Sequence, residues 1–184
     1  MPGAPVVLES DGVELEITLP KVENAQQGKQ VANGVVAYAS ESSFANTVQA
    51  NEDGSVRMTT IIDDPSAPTE YEYEVTLPEG GYIEIFEDGD AAVLDNEGKG
   101  VRYIDVPWAK DAEGKELKTW FTTDGLTLTQ HVEHNVEGVV YPVTADPWWT
   151  RRCNDYVVYS FEDTWNYQQR INAVPTACGE AMAR

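Results

Sequence analysis

The groups able to do chemistry in this chain are few, and each can be weighed where it stands. Cys153 and Cys178 are its two thiols. Cys153 follows Arg151 and Arg152, and neighbouring cations lower a thiol pKa and favour the reactive thiolate. A second cysteine 25 positions further on points instead to one structural disulfide, made in an oxidising compartment. Closing that loop contributes on the order of 3 kcal/mol in the chain-entropy model. His131 and His134 are the only histidines. At i and i+3 of a strand they face opposite ways, so they do not share a zinc ion, and no third ligand accompanies them. Asp88, Asp90 and Asp95 lie in acidic turns and could offer oxygens to calcium. Their spacing fits no EF-hand or Gly-rich calcium repeat, and Asp-Gly serves a hairpin turn through its backbone alone. No G-x-S-x-G elbow, Cys/His pair or apolar pair of carboxylates is present, so no catalytic, cofactor-binding or metal-binding residue is expected.

Aromatic side chains are the other candidates. Trp108, Trp120, Trp148, Trp149 and Trp165, with Tyr141, Tyr156, Tyr159 and Tyr167, could stack on a sugar or a peptide. Packing is the more common use of such residues. Trp148 and Trp149 would then cover the seam between a sheet and whatever follows it. The candidate contact surface is Trp148, Trp149, Arg151, Arg152, Trp165 and Tyr167.

These residues need elements to hold them. Val13, Leu15, Ile17 and Leu19 alternate with polar neighbours, as do Val56, Met58, Thr60 and Ile62, and Tyr71, Tyr73, Val75 and Leu77. A period of two means strands with one buried face. The last run places Glu70, Glu72 and Glu74 on its other face, which must meet water because aligned carboxylates are not buried unpaired. Turn signals such as Asp53-Gly54, Gly80-Gly81, Asp88-Gly89 and Asp124-Gly125 recur through the chain, and about ten short strands result. Residues 21–34 read as a loop. Val139 to Val143 reads as the last strand, with Pro147 fixing the exit. No stretch with a period of 3.6 interrupts the series, so the expected fold is an all-β antiparallel sandwich or open barrel. Beyond it, Phe161, Trp165, Tyr167, Ile171 and Val174 suit a short helix that stops before Pro175. A small helical appendage closed by the Cys153–Cys178 disulfide is the expectation there.

Charge marks the same division. Of 32 Asp/Glu and 12 Lys/Arg, four of each lie in residues 147–184, so residues 1–146 carry the whole net charge of −20. The expected units are an acidic β-rich domain over 1–146 and a neutral cysteine-bearing subdomain over 147–184. Such an acidic surface repels nucleic acid and anionic lipid, and it suits basic partners. No apolar run approaches the length of a membrane helix. Met1-Pro2-Gly3-Ala4 lacks the features of a signal peptide, so export implies a leader already removed.

Around Val139–Trp149, VVYPVTADPWW, the chain resembles a group of secreted actinobacterial proteins of unassigned function whose β-rich domain ends in a YPVxADPWW-like motif. The matching pieces are Glu70–Gly80, Val106–Lys115, Asp124–His134 and Tyr141–Trp149, within residues 45–149. The resemblance implies an extracellular or cell-surface β-domain with a variable C-terminal piece, and it carries no catalytic residues with it.

The sequence therefore leads to a secreted, non-enzymatic β-sandwich module for binding or presentation at the cell exterior, with an extracellular protein or glycan as partner. One alternative is a leader joined to a small hydrolase or toxin-like effector using Asp155, Glu162 and Asp163. Another is a structural protein that assembles through a strand edge.

Overall fold

A computed structural model of the chain describes residues 5–10, 13–21, 28–39, 43–51 and 54–150. Strands and turns account for them, with no helix among the described residues. One antiparallel sheet has the order β1-β2-β7-β13-β12, from Val6–Ser10, Val13–Thr18, Glu70–Val75, Thr127–Val132 and Thr119–Thr123. The second runs β3-β4-β5-β6-β15-β10-β9-β8, from Lys29–Ala32, Val35–Ala39, Phe44–Ala50, Val56–Ile62, Trp148–Thr150, Gly100–Ile104, Ala91–Leu94 and Tyr82–Ile85. β11 (Trp108–Lys110) and β14 (Val143–Asp146) pair with each other, and β14 also pairs with β6.

The two sheets share one core. Leu15, Ile17, Tyr71, Tyr73, Leu128 and Val132 from the first meet Phe44, Met58, Ile62, Val93, Ile104 and Trp149 from the second. The alternation read in the sequence is the cause. In β7 the tyrosines and Val75 are buried and the three glutamates are exposed. Burial pushes the Tyr71 and Tyr73 phenols well above the ordinary tyrosine range.

Three expectations change. The stretch 21–34, read as a loop, contains β3. It forms a hairpin with β4 across Asn33-Gly34, where Gly34 has a φ of 71° that suits glycine. The last strand does not end at Val143; β14 begins there, and β15 continues it through Thr150. Both pair with β6 in one unbroken register, Val143 facing Ile62 and Trp149 facing Val56. Pro147 sits inside this line rather than closing it. The Met58 N–H donates to the Pro147 carbonyl at 3.1 Å, so the rung lacks only the bond that proline cannot give. On the other side the ladder absorbs the interruption with a bulge. Ile104 faces Trp149 and Trp108 faces Asp146, so one extra residue is accommodated in the β10–β11 line. Finally, Trp148–Thr150 belong to the sheet, so the β unit extends beyond the boundary expected after Asp146. The expected helix and the Cys153–Cys178 disulfide lie outside the described residues.

Candidate functional site

One face of the first sheet packs on the core, and its other face is open. Cross-strand register fixes what lies side by side there. His131 faces Trp120 on one flank and Glu70 on the other. Thr129 lies between Thr122 and Glu72, and Thr127 faces Glu74, which in turn faces Thr18. Further along, Glu16 is opposite Val7 and Glu14 is opposite Glu9. Each of these positions alternates with a buried residue, which is why they share one surface.

The aromatic corner is ordered by its neighbours. The Trp120 and His131 rings are stacked, with centroids 5.0 Å apart and planes 3° from parallel. His131 Nε2 is 2.7 Å from Thr122 Oγ1, and Nδ1 lies 3.5 Å from Glu70 Oε1. Lys118 places its Nζ 4.7 Å from the Trp120 ring centroid and donates to Glu133 Oε1 at 2.7 Å. Next to this corner is a shallow, open depression of about 350 Å³ between Glu72, Glu74, Thr122 and Asp124. Asp124 is committed to its turn. Backbone N–H groups of Leu126 and Thr127 bond its carboxylate at 2.9 and 2.8 Å and hold it below the usual carboxylate range. Glu72 and Glu74 point to water.

Glu9, Glu14, Glu16, Glu70, Glu72, Glu74 and Glu133 give this face its charge, and Lys118 and His131 are its only basic side chains among the described residues. The low-dielectric sheet beneath strengthens the field that such a row of carboxylates casts into solvent. Chemically the surface offers hydroxyl and carboxylate acceptors in rows at strand spacing, suited to ammonium and guanidinium donors.

The residues singled out from sequence are placed as follows. Trp149 is fully enclosed in the core beside Tyr73, with ring centroids 6.5 Å apart, so it offers no contact surface. Strand alternation sends Trp148 to the opposite face, where the Arg57 guanidinium lies 4.3 Å from its ring centroid. Trp108 likewise has the Lys110 ammonium 5.9 Å over its ring. Trp108, Trp120 and Trp148 thus each have one of the chain's own cations over the ring. Arg151, Arg152, Trp165, Tyr167, Cys153, Cys178, Asp155, Glu162 and Asp163 lie outside the described residues.

Asp95 accepts the Glu97 and Lys99 backbone N–H groups at 2.9 Å each, a turn closed by its own carboxylate. Among the described residues no group of three or more His, Asp or Glu side chains is placed to hold a metal ion. His131 stands on the outer face, and His134, two residues past the end of β13, is buried inside.

The Trp120–His131 stack escaped the sequence because it depends on register between β12 and β13. The signal available was alternation alone: Phe121, Leu128 and Val132 point inward, which turns Trp120 and His131 outward. In comparisons with protein-family models, with curated proteins and with solved structures, the chain finds no match.

Proposed function

We propose that this chain is a secreted, non-enzymatic β-sandwich module that binds or presents at the cell exterior, and that the outer face of its five-stranded sheet meets a basic extracellular protein. The observation that carries the reading is the row Glu70, Glu72 and Glu74, exposed beside the ordered Trp120–His131 corner. A sheet face needs polar residues only for solubility, and mixed charges serve that purpose well. Here one sign dominates, and the potential favours encounter with cationic partners. Export is supported by the pair Cys153 and Cys178, which suits one disulfide made in an oxidising compartment, and by the sequence resemblance.

Retention on an immobilised Lys/Arg-rich peptide tests the reading. The natural chain is expected to be retained at low salt and released as salt screens the face. Glu70→Gln, Glu72→Gln and Glu74→Gln together are expected to weaken binding about tenfold, with the sheet still folded. Unchanged retention of that variant, or elution insensitive to salt, removes the face from consideration.

A further inference from the structure

Three side chains on the outer face of the five-stranded sheet stand in line. Thr122 Oγ1 lies 2.7 Å from His131 Nε2, and His131 Nδ1 lies 3.5 Å from Glu70 Oε1. They come from β12, β13 and β7, which are consecutive in the sheet. Register puts Trp120 and Glu70 on either side of His131, and puts Thr122 opposite Thr129, one outward position along. The Trp120 ring lies parallel to the imidazole at 5.0 Å and holds its plane.

The partners assign the protons of this line. A carboxylate only accepts, so the hydrogen of the neutral ring belongs on Nδ1, toward Glu70. Nε2 then presents a lone pair, and the Thr122 hydroxyl donates to it. A hydroxyl that donates to an imidazole, itself oriented by a third group, is the arrangement of an activated nucleophile. Thr122 is the nucleophile here, His131 the general base and Glu70 a positioning residue.

Thr122 also lines the open depression of about 350 Å³. Glu72 and Glu74 stand across it, with Thr129 between Thr122 and Glu72. Two inter-strand steps separate Thr122 from Glu72, about 10 Å between backbones. An acyl chain of a few carbons that ends in a cation covers that distance together with a glutamate side chain.

We propose that Thr122 is an acyl acceptor, taking one acyl group from an activated ester or thioester whose acyl chain carries an ammonium group. The Thr122 oxygen attacks the acyl carbon, and its proton passes to His131 Nε2. The bond from the acyl carbon to the leaving oxygen or sulfur breaks. The leaving group departs with the electron pair and takes the proton from Nε2. An ester on Thr122 and a neutral imidazole remain. An aryl oxide or a thiolate leaves far more readily than the threonine alkoxide, so the acyl group stays in place. Each chain is labelled once, a fastening step without turnover, and it holds whether or not a basic protein docks on the same face.

The probe is the para-nitrophenyl ester of γ-trimethylammoniobutyrate, mixed with the full chain near neutral pH. Absorbance follows nitrophenolate release, and intact mass with peptide mapping follows the product. One equivalent of nitrophenolate per chain is expected, with one acyl group on Thr122. The isostere with carbon in place of the quaternary nitrogen is expected to react about tenfold more slowly, each rate taken relative to hydrolysis in buffer. Glu72→Gln together with Glu74→Gln is expected to erase that preference. Thr122→Val is expected to remove the label and Thr122→Ser to keep it. His131→Gln is expected to slow labelling about 100-fold, within the range of general-base catalysis. Glu70→Gln is expected to lower the saturated rate about tenfold with an unchanged half-saturating concentration, which a binding defect would not do. A natural chain that takes its label on Lys118 or any residue other than Thr122 overturns the proposal. So does one that gains no acyl group, or that releases nitrophenolate continuously without an adduct.

Discussion

Trp120 and His131, on neighbouring strands, lie ring against ring at 5.0 Å, on a face where, among the described strand residues, the other large side chains are carboxylates, threonines, a lysine and a valine. The stack, the Thr122 bond and the Glu70 contact fix His131 from three sides. Trp120→Ala is expected to lower stability by about 1 kcal/mol, the usual worth of such a pair. Urea unfolding should show a lower midpoint with an unchanged slope. A loss several times larger would mean that Trp120 supports the core instead.

The tryptophan pair of β15 behaves oppositely at its two members. Trp149 is enclosed between the sheets, and Trp149→Ala is expected to cost about 3–5 kcal/mol. Trp148 covers Arg57 on the outer face, and Trp148→Ala is expected to cost about 1 kcal/mol. Paired denaturation curves check the contrast, and equal losses would contradict it.

That pair also marks what could be read from the sequence. The alternation of Glu70–Val75 and of Val56–Ile62 specified strands, faces and core together, because a period of two leaves no other way to bury the apolar set. Two adjacent tryptophans after a proline gave no such pattern, and Pro147 read as a stop. It is tolerated because one rung to Met58 survives and the bulge in the β10–β11 line absorbs the mismatch, features that exist only between strands. The carboxylate row of the candidate face was legible from β7 alone. The His131–Trp120 pairing was not, since it depends on which segments become neighbours.

Asp146 gives a pH prediction. Its side chain is 1% exposed, with the Arg57 Nε 2.9 Å away. Burial pushes its carboxyl up to about 6 from the ordinary 3.8; Arg57 opposes the rise and Asp105 adds to it. A carboxyl that holds its proton more tightly when folded contributes stability that is complete below pH 3.8 and is lost as pH rises through about 6. Asp146→Asn resembles the protonated form. It is expected to match the natural chain near about pH 4 and to exceed it by on the order of 2–3 kcal/mol near about pH 7.5. Thermal unfolding at the two pH values checks the crossing, and a variant less stable at the higher pH would show that the Arg57 pair outweighs burial.

Gly100 lies under the Tyr103 ring, so that a methyl group added there meets the phenol directly. Gly100 sits in β10 next to the register shift toward Arg102, and Tyr103 is itself buried. Gly100→Ala is expected to cost about 1–3 kcal/mol through overpacking. Pairing it with Tyr103→Ala should recover part of that loss in a double-mutant cycle, and strict additivity would exclude the contact as the cause.

The most direct measurement is a map, by amide and indole NMR shifts, of where a Lys/Arg-rich peptide touches the full chain at low salt. The expected result is a continuous set of shifts over Glu70, Glu72, Glu74, Thr129 and the Trp120 indole, fading as salt is added. Shifts confined to the second sheet, or none on the β7–β13–β12 face at saturating peptide, would contradict it.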